Sequence, residues 1–423
     1  MAQYLMGLDL GGKKIRCLLL DVDSGAVISA RRPLHHRMTA GFGYNLDTLE
    51  VWRLFGDAAH EVMIKIGARP QDVLAVSTTG MRHGSVLVDA RGEALLATPT
   101  RDARGSMQSL QLASERGREF HERTGHFPAP LFTVSRLLWI ADSEPELLSR
   151  AHAVLALSDW LAYRLSGKMV VEPSVASESG LFEIGPRRWA DDLIGSLGLP
   201  RHLFPEIAAS GSVLGPLLED AAHHLGLLPG IAVVTGGGDT QCGLLGAGVI
   251  DSGQMGIIAG STMPLQWVVN TKLIDPETRV WTSHHVVEER WTLESNGGPT
   301  GDLIEWLAGV IYSGLSDPVA ALFAEASQSA VAPKGSFQRS EPKYSTPVTC
   351  GCPLGISHCH QCWWPRIHRA GVMCREQLSK DWLSRRGAIL NCCKKRRKTN
   401  RSNRFDWRVE CRKAYSSPSF SRM

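Results

Sequence analysis

The chain begins with short apolar runs separated by glycine-containing turns. Tyr4–Asp9 and Ile15–Leu20 are apolar runs on either side of the turn Gly11–Lys14, and a third run covers Ala26–Ala30. Apolar runs of this length, bounded by turn residues, are typical of β-strands. The start of the chain therefore predicts three strands joined by tight turns.

A helical pattern follows these strands. Asp47 and Glu50 have the spacing of a capping box, and Gly67 is a typical helix stop. Between them, apolar residues recur on one helical face, at Val51, Leu54, Phe55, Ala58 and Val62. We expect an amphipathic helix over this segment.

Strand and helix patterns then alternate. Val73–Thr78 and Ser85–Val88 are predicted strands with a loop between them, and helices are expected to dominate Ser106–Leu165. Ile231–Thr235 has the composition of a buried strand, and a helix is predicted near Gln241–Leu245. This alternation favours an α/β fold.

The opening arrangement recurs later in the chain. Gly256–Ala259, the turn Gly260–Thr262 and Pro264–Val269 repeat the order strand, glycine turn, strand. A length of 423 residues also exceeds what one hydrophobic core usually supports. We therefore predict two related domains, at 1–250 and 251–335, with a ligand-binding cleft between them.

Charge and cysteine content set residues 336–423 apart. This segment has 19 Lys and Arg against 5 Asp and Glu, whereas residues 1–335 have 27 against 37. All but two of the 10 cysteines also lie in it. The formal net charge of +4 therefore describes neither part of the chain. The acidic, cysteine-poor part fits a cytosolic enzyme.

Residues 336–423 show no helical or strand period, so the hydrophobic pattern predicts no structure for them. Three interpretations of the segment remain open. Cys350, Cys352, Cys359 and Cys362 suggest a zinc module, although their spacing fits no closed structural site. The basic block Lys394–Lys398 suggests an arm that binds nucleic acid phosphates. The simultaneous rise in Cys, Arg and Trp favours the third interpretation, an out-of-frame segment that is disordered or poorly packed.

Other bulk features argue against membrane classes. No stretch reaches the ~20 apolar residues that a membrane-spanning helix needs, and the N-terminus lacks the basic start of a signal peptide. We therefore expect a cytoplasmic protein with no membrane partner, and nucleic acid is not favoured. The sequence leaves the oligomeric state open, with a homodimer as one option.

The first candidate site is the turn after the first strand. Gly11 and Gly12 let the backbone approach phosphate oxygens, and Lys13 and Lys14 add positive charge. Gly7, Gly12 and Lys13 have P-loop spacing, but position 14 is not Ser or Thr and a strand follows where a P-loop needs a helix. The alternative is a surface hairpin with solvated lysines.

The run Gly236–Asp239 is the strongest local signal. An acid that follows three glycines at the end of a buried strand is expected in a cleft, where a carboxylate can accept the proton of an attacking hydroxyl. The alternative is that Asp239 caps the following helix. The two interpretations are compatible.

Two loops add polar groups that could bind sugar hydroxyls. Met81, Arg82 and His83 lie between two predicted strands, and Asp102 and Arg104 follow. His83 could equally be an ordinary loop histidine, and Asp102 with Arg104 a solvated ion pair.

Together these residues resemble the FGGY family of carbohydrate kinases over about residues 4–335. The resemblance extends to further segments, namely Phe132–Trp139 (similar to the family's first signature, with Arg136 where Lys is usual), Ser158–Gly167 and Ser174–Ser177. Within the family, the region 82–249 is most similar to autoinducer-2 kinases and xylulokinases, without indicating one sugar.

The resemblance implies two ribonuclease-H-like α/β domains, as in actin- and hexokinase-type ATPases, the second of them incomplete. It implies ATP-dependent phosphorylation of a small sugar or polyol, with ATP and Mg²⁺ as cofactors. Asp239 would be the catalytic base, and the sugar would lie among Met81, Arg82, His83 and Asp102. The implied phosphate-binding residues come from both glycine turns: Asp9, Gly11, Gly12, Lys13, Lys14 and Arg16, with Gly260, Ser261 and Thr262. Asp9 and Asp239 would hold Mg²⁺ through the nucleotide.

Two departures from the family bear on activity. Lys13 and Lys14 stand where small or hydroxyl residues are usual, which could crowd the phosphate turn. The family's second signature and adenine-binding turn are not visible after residue 335. The alternative to an active kinase is therefore a catalytically inactive sugar-binding remnant or a regulatory protein.

Overall fold

The computed structural model of this protein describes residues 2–260, 262–298 and 300–328, and the backbone of two strands within 389–412. The chain divides into two compact units. The first comprises Met1–Gly246 and Val269–Leu293, and the second comprises Ala247–Val268 and Glu294–Met423.

The elements described below belong to these residues. The strands are β1 (Tyr4–Leu10), β2 (Lys14–Asp21), β3 (Val27–Pro33), β4 (Arg37–Met38), β5 (Tyr44–Asn45), β6 (Val73–Gly80), β7 (Ser85–Val88), β8 (Ala94–Thr98), β9 (Ala153–Ala156), β10 (Val170–Val171), β11 (Glu206–Ile207), β12 (Val213–Pro216), β13 (Ala232–Gly238), β14 (Gln254–Ile258), β15 (Pro264–Val269), β16 (Trp281–His284), β17 (Trp291–Asn296), β18 (Ile389–Arg396) and β19 (Trp407–Arg412). The helices are α1 (Thr48–Ile66), α2 (Ser106–Thr124), α3 (Thr133–Ser143), α4 (Pro145–Arg150), α5 (Leu157–Ser166), α6 (Pro173–Ser177), α7 (Asp191–Ser196), α8 (Glu219–Leu225), α9 (Asp239–Gly246), α10 (Thr300–Ile311) and α11 (Pro318–Gln328).

The main sheet of the first unit has the strand order β12-β13-β6-β1-β2-β3. Strands β13, β6 and β1 run parallel, whereas β2, β3 and β12 join antiparallel to their neighbours. The three strands predicted at the start of the chain are confirmed, with β1 and β2 in a hairpin that pairs Leu10 with Ile15. The sheet is therefore mixed, with its parallel part at the centre.

Helix α1 forms where the apolar spacing predicted it. The Asp47 side chain accepts hydrogen bonds from the backbone N–H groups of Leu49 and Glu50, and Gly67 ends the helix with a φ of 64°. Phe55, on the predicted apolar face, is completely buried in a core shared with β1, β2, β6 and α5. Local capping and burial of one face both stabilise this helix.

A second core lies between the small sheet β8-β7-β9 and helices α2, α3, α6 and α7. Helices dominate Ser106–Leu165 as predicted, but the strand β9, which pairs antiparallel with β7, interrupts them. An apolar run of four residues cannot be distinguished from a buried helical segment by periodicity. Pairing with β7, which only the fold supplies, decides its structure.

The second unit contains a sheet in which β14 pairs with β15 on one side and with β18 on the other. Strand β19 pairs with β18. The sequence pattern did not indicate β18 and β19, which lie in the segment interpreted as out of frame, and that interpretation stays a prediction. In α10, Leu303, Trp306 and Val310 are exposed.

Candidate functional site

Three parallel strands of the main sheet end side by side. Asp9 of β1 pairs with Thr79 of β6, and Thr79 pairs with Gly237 of β13. The Thr79 hydroxyl donates to the carbonyl of Gly237 at 2.8 Å and ties the two strands together at this edge. Asp239 follows β13 directly as the first residue of α9. Residues that follow parallel strands converge at such an edge, which is where α/β folds commonly bind ligands.

The two acids predicted to act in catalysis and magnesium binding interact here. The Asp9 side chain is 18% exposed, and Arg16 Nη1 lies 3.5 Å from its Oδ2. Burial, and then the charge of Asp239, raise the pKa of Asp9 to about 7, while Arg16 offsets part of this rise. Asp239 Oδ1 accepts a hydrogen bond from the backbone N–H of Thr240 at 2.8 Å.

The acid pair fits a magnesium nucleotide. Asp9 Oδ1 is buried and has no hydrogen-bond partner among the described residues, so an oxygen is available for a ligand. Carboxylate oxygens are the ligands that Mg²⁺ prefers, and it usually binds through one or two of them together with phosphate. The described residues hold no cluster of three or more His, Cys, Asp or Glu suited to a metal held by protein alone.

Close packing explains the glycines before Asp239. A Cβ on Gly236 would lie 1.7 Å from the Thr78 carbonyl oxygen, and one on Gly237 would lie 2.6 Å from Val286 Cγ1. No side chain fits at Gly236 without moving the backbone, and one at Gly237 would displace the buried side chains packed against it. The glycines therefore let β13 lie against β6 and bring Asp239 to the edge of the sheet.

A chain of buried hydrogen bonds fixes the end of β13. The backbone N–H of Gly238 donates to Ser174 Oγ at 3.0 Å, and Ser174 Oγ donates to Glu172 at 2.5 Å. Ser210 Oγ also donates to Glu172 at 2.5 Å. Burial raises the pKa of Glu172, although these hydrogen bonds offset part of the rise. Buried side chains that the sequence analysis did not single out therefore fix the position of the segment before Asp239.

The carboxylate of Glu178 lies at the centre of a buried polar cluster. Its Oε1 is 2.9 Å from Arg82 Nη1, and its Oε2 is 3.3 Å from His83 Nδ1. His126 Nε2 lies 3.3 Å from the same Oε2. Burial by itself would raise the pKa of Glu178, but Arg82, His83 and His126 outweigh it and hold that pKa well below its usual range.

The loop that carries Arg82 and His83 has a strained backbone. His83 has a φ of 65°, which is uncommon for a residue with a side chain. Its carbonyl accepts a hydrogen bond from the buried Arg136, and the Arg82 carbonyl accepts one from Thr100. Both residues are almost completely buried, as is Met81. The structure thus holds the predicted substrate loop rigidly in an unusual conformation.

Asp102, also predicted to bind substrate, makes several contacts within the protein. It is completely buried, and Arg104 Nε donates to both of its carboxylate oxygens at 2.9 Å. Arg136 Nε lies 3.2 Å from Oδ2, and the backbone N–H of Tyr44 donates to Oδ1 at 2.8 Å. The alternative of a solvated pair with Arg104 is wrong, because both side chains are buried. A role in substrate binding stays a prediction.

The two predicted phosphate turns are open and exposed. In the first, Lys13 and Lys14 are exposed, and a Cβ on Gly12 would meet no atom within 4 Å. In the second unit, the N–H of Gly260 donates to the carbonyl of Thr262 at 3.0 Å, and both residues are exposed. Ser261 lies outside the described residues. Phosphate binding by these turns stays a prediction.

Sequence reasoning missed Glu178 and His126 as members of the site. Glu178 contacts Arg82, which is 96 residues away in the chain, and Ser283, which is 105 residues away. No local motif reveals contacts at such separations. A usable signal was the Glu that directly follows the family-like run Ser174–Ser177.

Within the described ranges, every helix is too short or too polar to cross a lipid bilayer.

The fold and the acid pair define an α/β protein with two acids at the ends of parallel strands of its main sheet. Comparison with known proteins gives the family. The model of the FGGY family of carbohydrate kinases, N-terminal domain, matches residues 4–246. The chain therefore belongs to the FGGY family of carbohydrate kinases.

Curated relatives carry the name autoinducer-2 kinase. The protein from Enterobacter sp. (strain 638) is 30% identical over 312 residues, which cover 72% of this chain and 58% of the relative. The protein from Escherichia coli (strain K12) is 31% identical over 311 residues, with coverage of 72% and 58%. The match thus spans 58% of the length of these curated relatives.

Solved structures share the fold. The xylulose kinase from Rhodospirillum rubrum has a TM-score of 0.68 at 23% identity, covering 78% of this chain and 68% of that one. The Plasmodium falciparum glycerol kinase with ADP has a TM-score of 0.66 at 17% identity, with coverage of 77% and 67%. These likenesses confirm the predicted α/β fold of this kinase family.

Proposed function

We propose that this chain phosphorylates a hydroxyl of a small sugar or polyol, with ATP as the phosphoryl donor. The observation that carries the proposal is the acid pair Asp9 and Asp239 at the ends of β1 and β13, the two strands on either side of β6, together with the buried loop of Arg82 and His83 that follows β6. Membership of the FGGY family supports it. The names of the curated relatives support autoinducer-2 as the first compound to test.

In this proposal Asp239 accepts the proton of the acceptor hydroxyl as its oxygen forms the new bond to phosphorus. ATP, bound with magnesium, donates its γ-phosphoryl group, and ADP leaves as the bond between the γ-phosphorus and the oxygen that bridges it to the β-phosphate breaks. Asp9, with an unpaired buried oxygen, helps to hold the magnesium. Arg82 and His83 orient the sugar, because their rigid loop fixes the direction of their polar atoms.

Replacing Asp239 tests this role. We expect Asp239→Asn to lower the rate of ADP formation by at least ~10²-fold, the lower end of a general base's contribution, and to change sugar affinity little. The rate is measured with a coupled assay for ADP against autoinducer-2, xylulose, gluconate and glycerol, and affinity by titration calorimetry. Asp220→Asn is the matched control, because Asp220 is an exposed acid on α8. An Asp239→Asn protein with the turnover of the wild type would remove Asp239 from the mechanism.

A second candidate is a protein that binds sugar without turning it over. It is favoured by the observation that the match spans 58% of the length of the curated relatives. Calorimetric sugar binding by the wild-type chain, together with no ADP formation on any compound of the panel, would support this candidate over the kinase.

We also propose a cytoplasmic location. Cys17 and Cys242 are free thiols, as expected in a reducing compartment. A homodimer remains one option for the assembly, and light scattering of the purified chain measures it.

A further inference from the structure

We propose that Glu178 is a positioning residue that holds His83 in the tautomer with its proton on Nδ1, so that Nε2 accepts a hydrogen bond from a substrate hydroxyl. This inference rests on the proposed function, because it gives the substrate loop a defined pattern of donors and acceptors. It concerns a residue that lies outside the acid pair.

Glu178 is placed to organise several elements at once. Its side chain is completely buried directly after α6. Oε1 accepts from Arg82 Nη1 at 2.9 Å, from Ser283 Oγ at 3.0 Å and from Gln241 Nε2 at 3.3 Å. Gln241 is two residues beyond Asp239 on α9. One carboxylate thus connects the substrate loop, the helix of the proposed base and β16.

The tautomer of His83 follows from the chemistry of the groups that face each other. Nδ1 of His83 is buried 3.3 Å from Oε2 of Glu178, and the described residues offer Nδ1 no other hydrogen-bond partner; His126 Nε2 lies 3.3 Å from the same Oε2. An ionised carboxylate only accepts hydrogen bonds, so the ring nitrogen that faces it must carry the proton. The neutral ring then has an acceptor at Nε2.

The charge states agree with this geometry. Burial lowers the pKa of His83 to about 3, so its ring is neutral near pH 7. The pKa of Glu178 is held well below its usual range despite burial, so the carboxylate is ionised. A neutral imidazole with one proton has two tautomers, and a fixed anion on one side selects between them.

The ring of His83 is also held in place. Its centroid lies 5.4 Å from that of Phe132 and 6.1 Å from that of Trp281. Hydrogen bonds from Arg136 and Thr100 clamp the backbone of the loop. Arg82 therefore presents a fixed donor and His83 a fixed acceptor, an arrangement that suits neighbouring hydroxyls of a polyol.

The substitution Glu178→Gln distinguishes a residue that fixes the tautomer of His83 from one that only balances the charge of Arg82. The glutamine has nearly the same shape, and its amide N–H₂ can donate to His83 Nδ1 while its oxygen still accepts from Arg82. The proton of His83 would then move to Nε2, and the site would present a donor where it now presents an acceptor. A residue that served only as a counter-ion for Arg82 would not change the tautomer.

Histidine-selective ¹⁵N NMR of the ligand-free full chain measures the tautomer directly. We expect Nδ1–H on His83 in the wild type and Nε2–H in Glu178→Gln, with the His83 signals assigned from a His83→Gln spectrum. His121 is an internal control, because its Nε2 faces the Asp275 carbonyl at 2.8 Å and must stay protonated in both proteins. Nε2–H on His83 in the wild type, or an unchanged tautomer in the variant, would overturn the inference.

Affinity gives a second readout. We expect Glu178→Gln to raise the Kd for autoinducer-2 at least tenfold by calorimetry, a loss of about 1.4 kcal/mol. Glu183→Gln is the matched control, because Glu183 is a largely buried acid paired with Arg123; its Kd should equal that of the wild type. An unchanged Kd in Glu178→Gln contradicts the inference. A wild type that binds no compound of the panel contradicts the proposed function instead, and the tautomer measurement still decides the role of Glu178.

Discussion

The buried guanidinium of Arg136 offers the sharpest stability prediction. Arg136 is 1% exposed on α3 and lies behind the substrate loop. It donates to the carbonyls of Pro99 at 3.2 Å, Thr100 at 3.3 Å and Asp102 at 3.3 Å, and also to that of His83. Burial lowers its pKa to about 10, with Asp102 offsetting part of the shift, so the side chain stays charged at pH 7.

Arg136→Met would remove these contacts and leave a side chain of similar length. Each buried carbonyl that loses its donor costs about 1 kcal/mol, and breaking a buried ion pair costs about 3–5 kcal/mol. The Asp102 carboxylate keeps Arg104 at 2.9 Å, so it does not lose every partner. The four carbonyls then account for about 4 kcal/mol and the partly retained ion pair adds little, so we expect the free energy of unfolding to fall by about 4–5 kcal/mol.

Urea denaturation followed by circular dichroism measures this change, provided that the slope of the transition is the same in both proteins. Arg118→Met is the matched control, because Arg118 is 79% exposed and pairs with Glu122 on the surface of α2. Its loss should cost at most about 0.5 kcal/mol. If Arg136→Met lies within about 1 kcal/mol of the wild type, the guanidinium does not hold the substrate loop as we infer.

Two further predictions concern packing and pH. Gly236→Ala places a Cβ 1.7 Å from the Thr78 carbonyl, so we expect little folded protein by size-exclusion chromatography, whereas Gly195→Ala, with no atom within 4 Å of the new Cβ, should fold normally. Burial lowers the pKa of His284 to about 4, whereas the same ring in the unfolded chain titrates near 6.5. The unfolded chain therefore binds a proton that the native His284 does not bind. As a result, the free energy of unfolding falls by about 3 kcal/mol as the pH drops from about 6.5 to about 4. Urea titrations at pH 4.5 and 7.5 should show a smaller difference for His284→Gln; an equal difference would contradict this reasoning.

Much of the first unit could be predicted because its signals are local. The hairpin of β1 and β2 and the helix α1 are encoded by apolar spacing, turn residues and caps within a few positions of one another. The acid at position 239 was also visible, since three glycines and an Asp at a strand end form an unusual run. The start of α9 was predicted two residues late, because an Asp that could cap a helix is here its first residue.

The environment of the site could not be predicted in the same way. The sequence did not show that two arginines and a backbone N–H surround the carboxylate of Asp102, whose predicted role in sugar binding stays a prediction. Strand β9 was hidden in a predicted helical region, because four apolar residues fit either structure and pairing with β7 decides between them. Pairing and ion contacts of this kind depend on segments far apart in the chain.

The sequence alone therefore determined the α/β class, the order of the first elements, and the acid proposed as base, because each follows from residues close together in the chain. Only the tertiary structure decided that Glu178 lies against Arg82, His83 and His126, and that Gly236 must lack a side chain. The physical reason is that burial, charge pairing and close approach are properties of the folded packing. These properties depend on residues that are close in space but far apart in the chain, so no sequence periodicity predicts them.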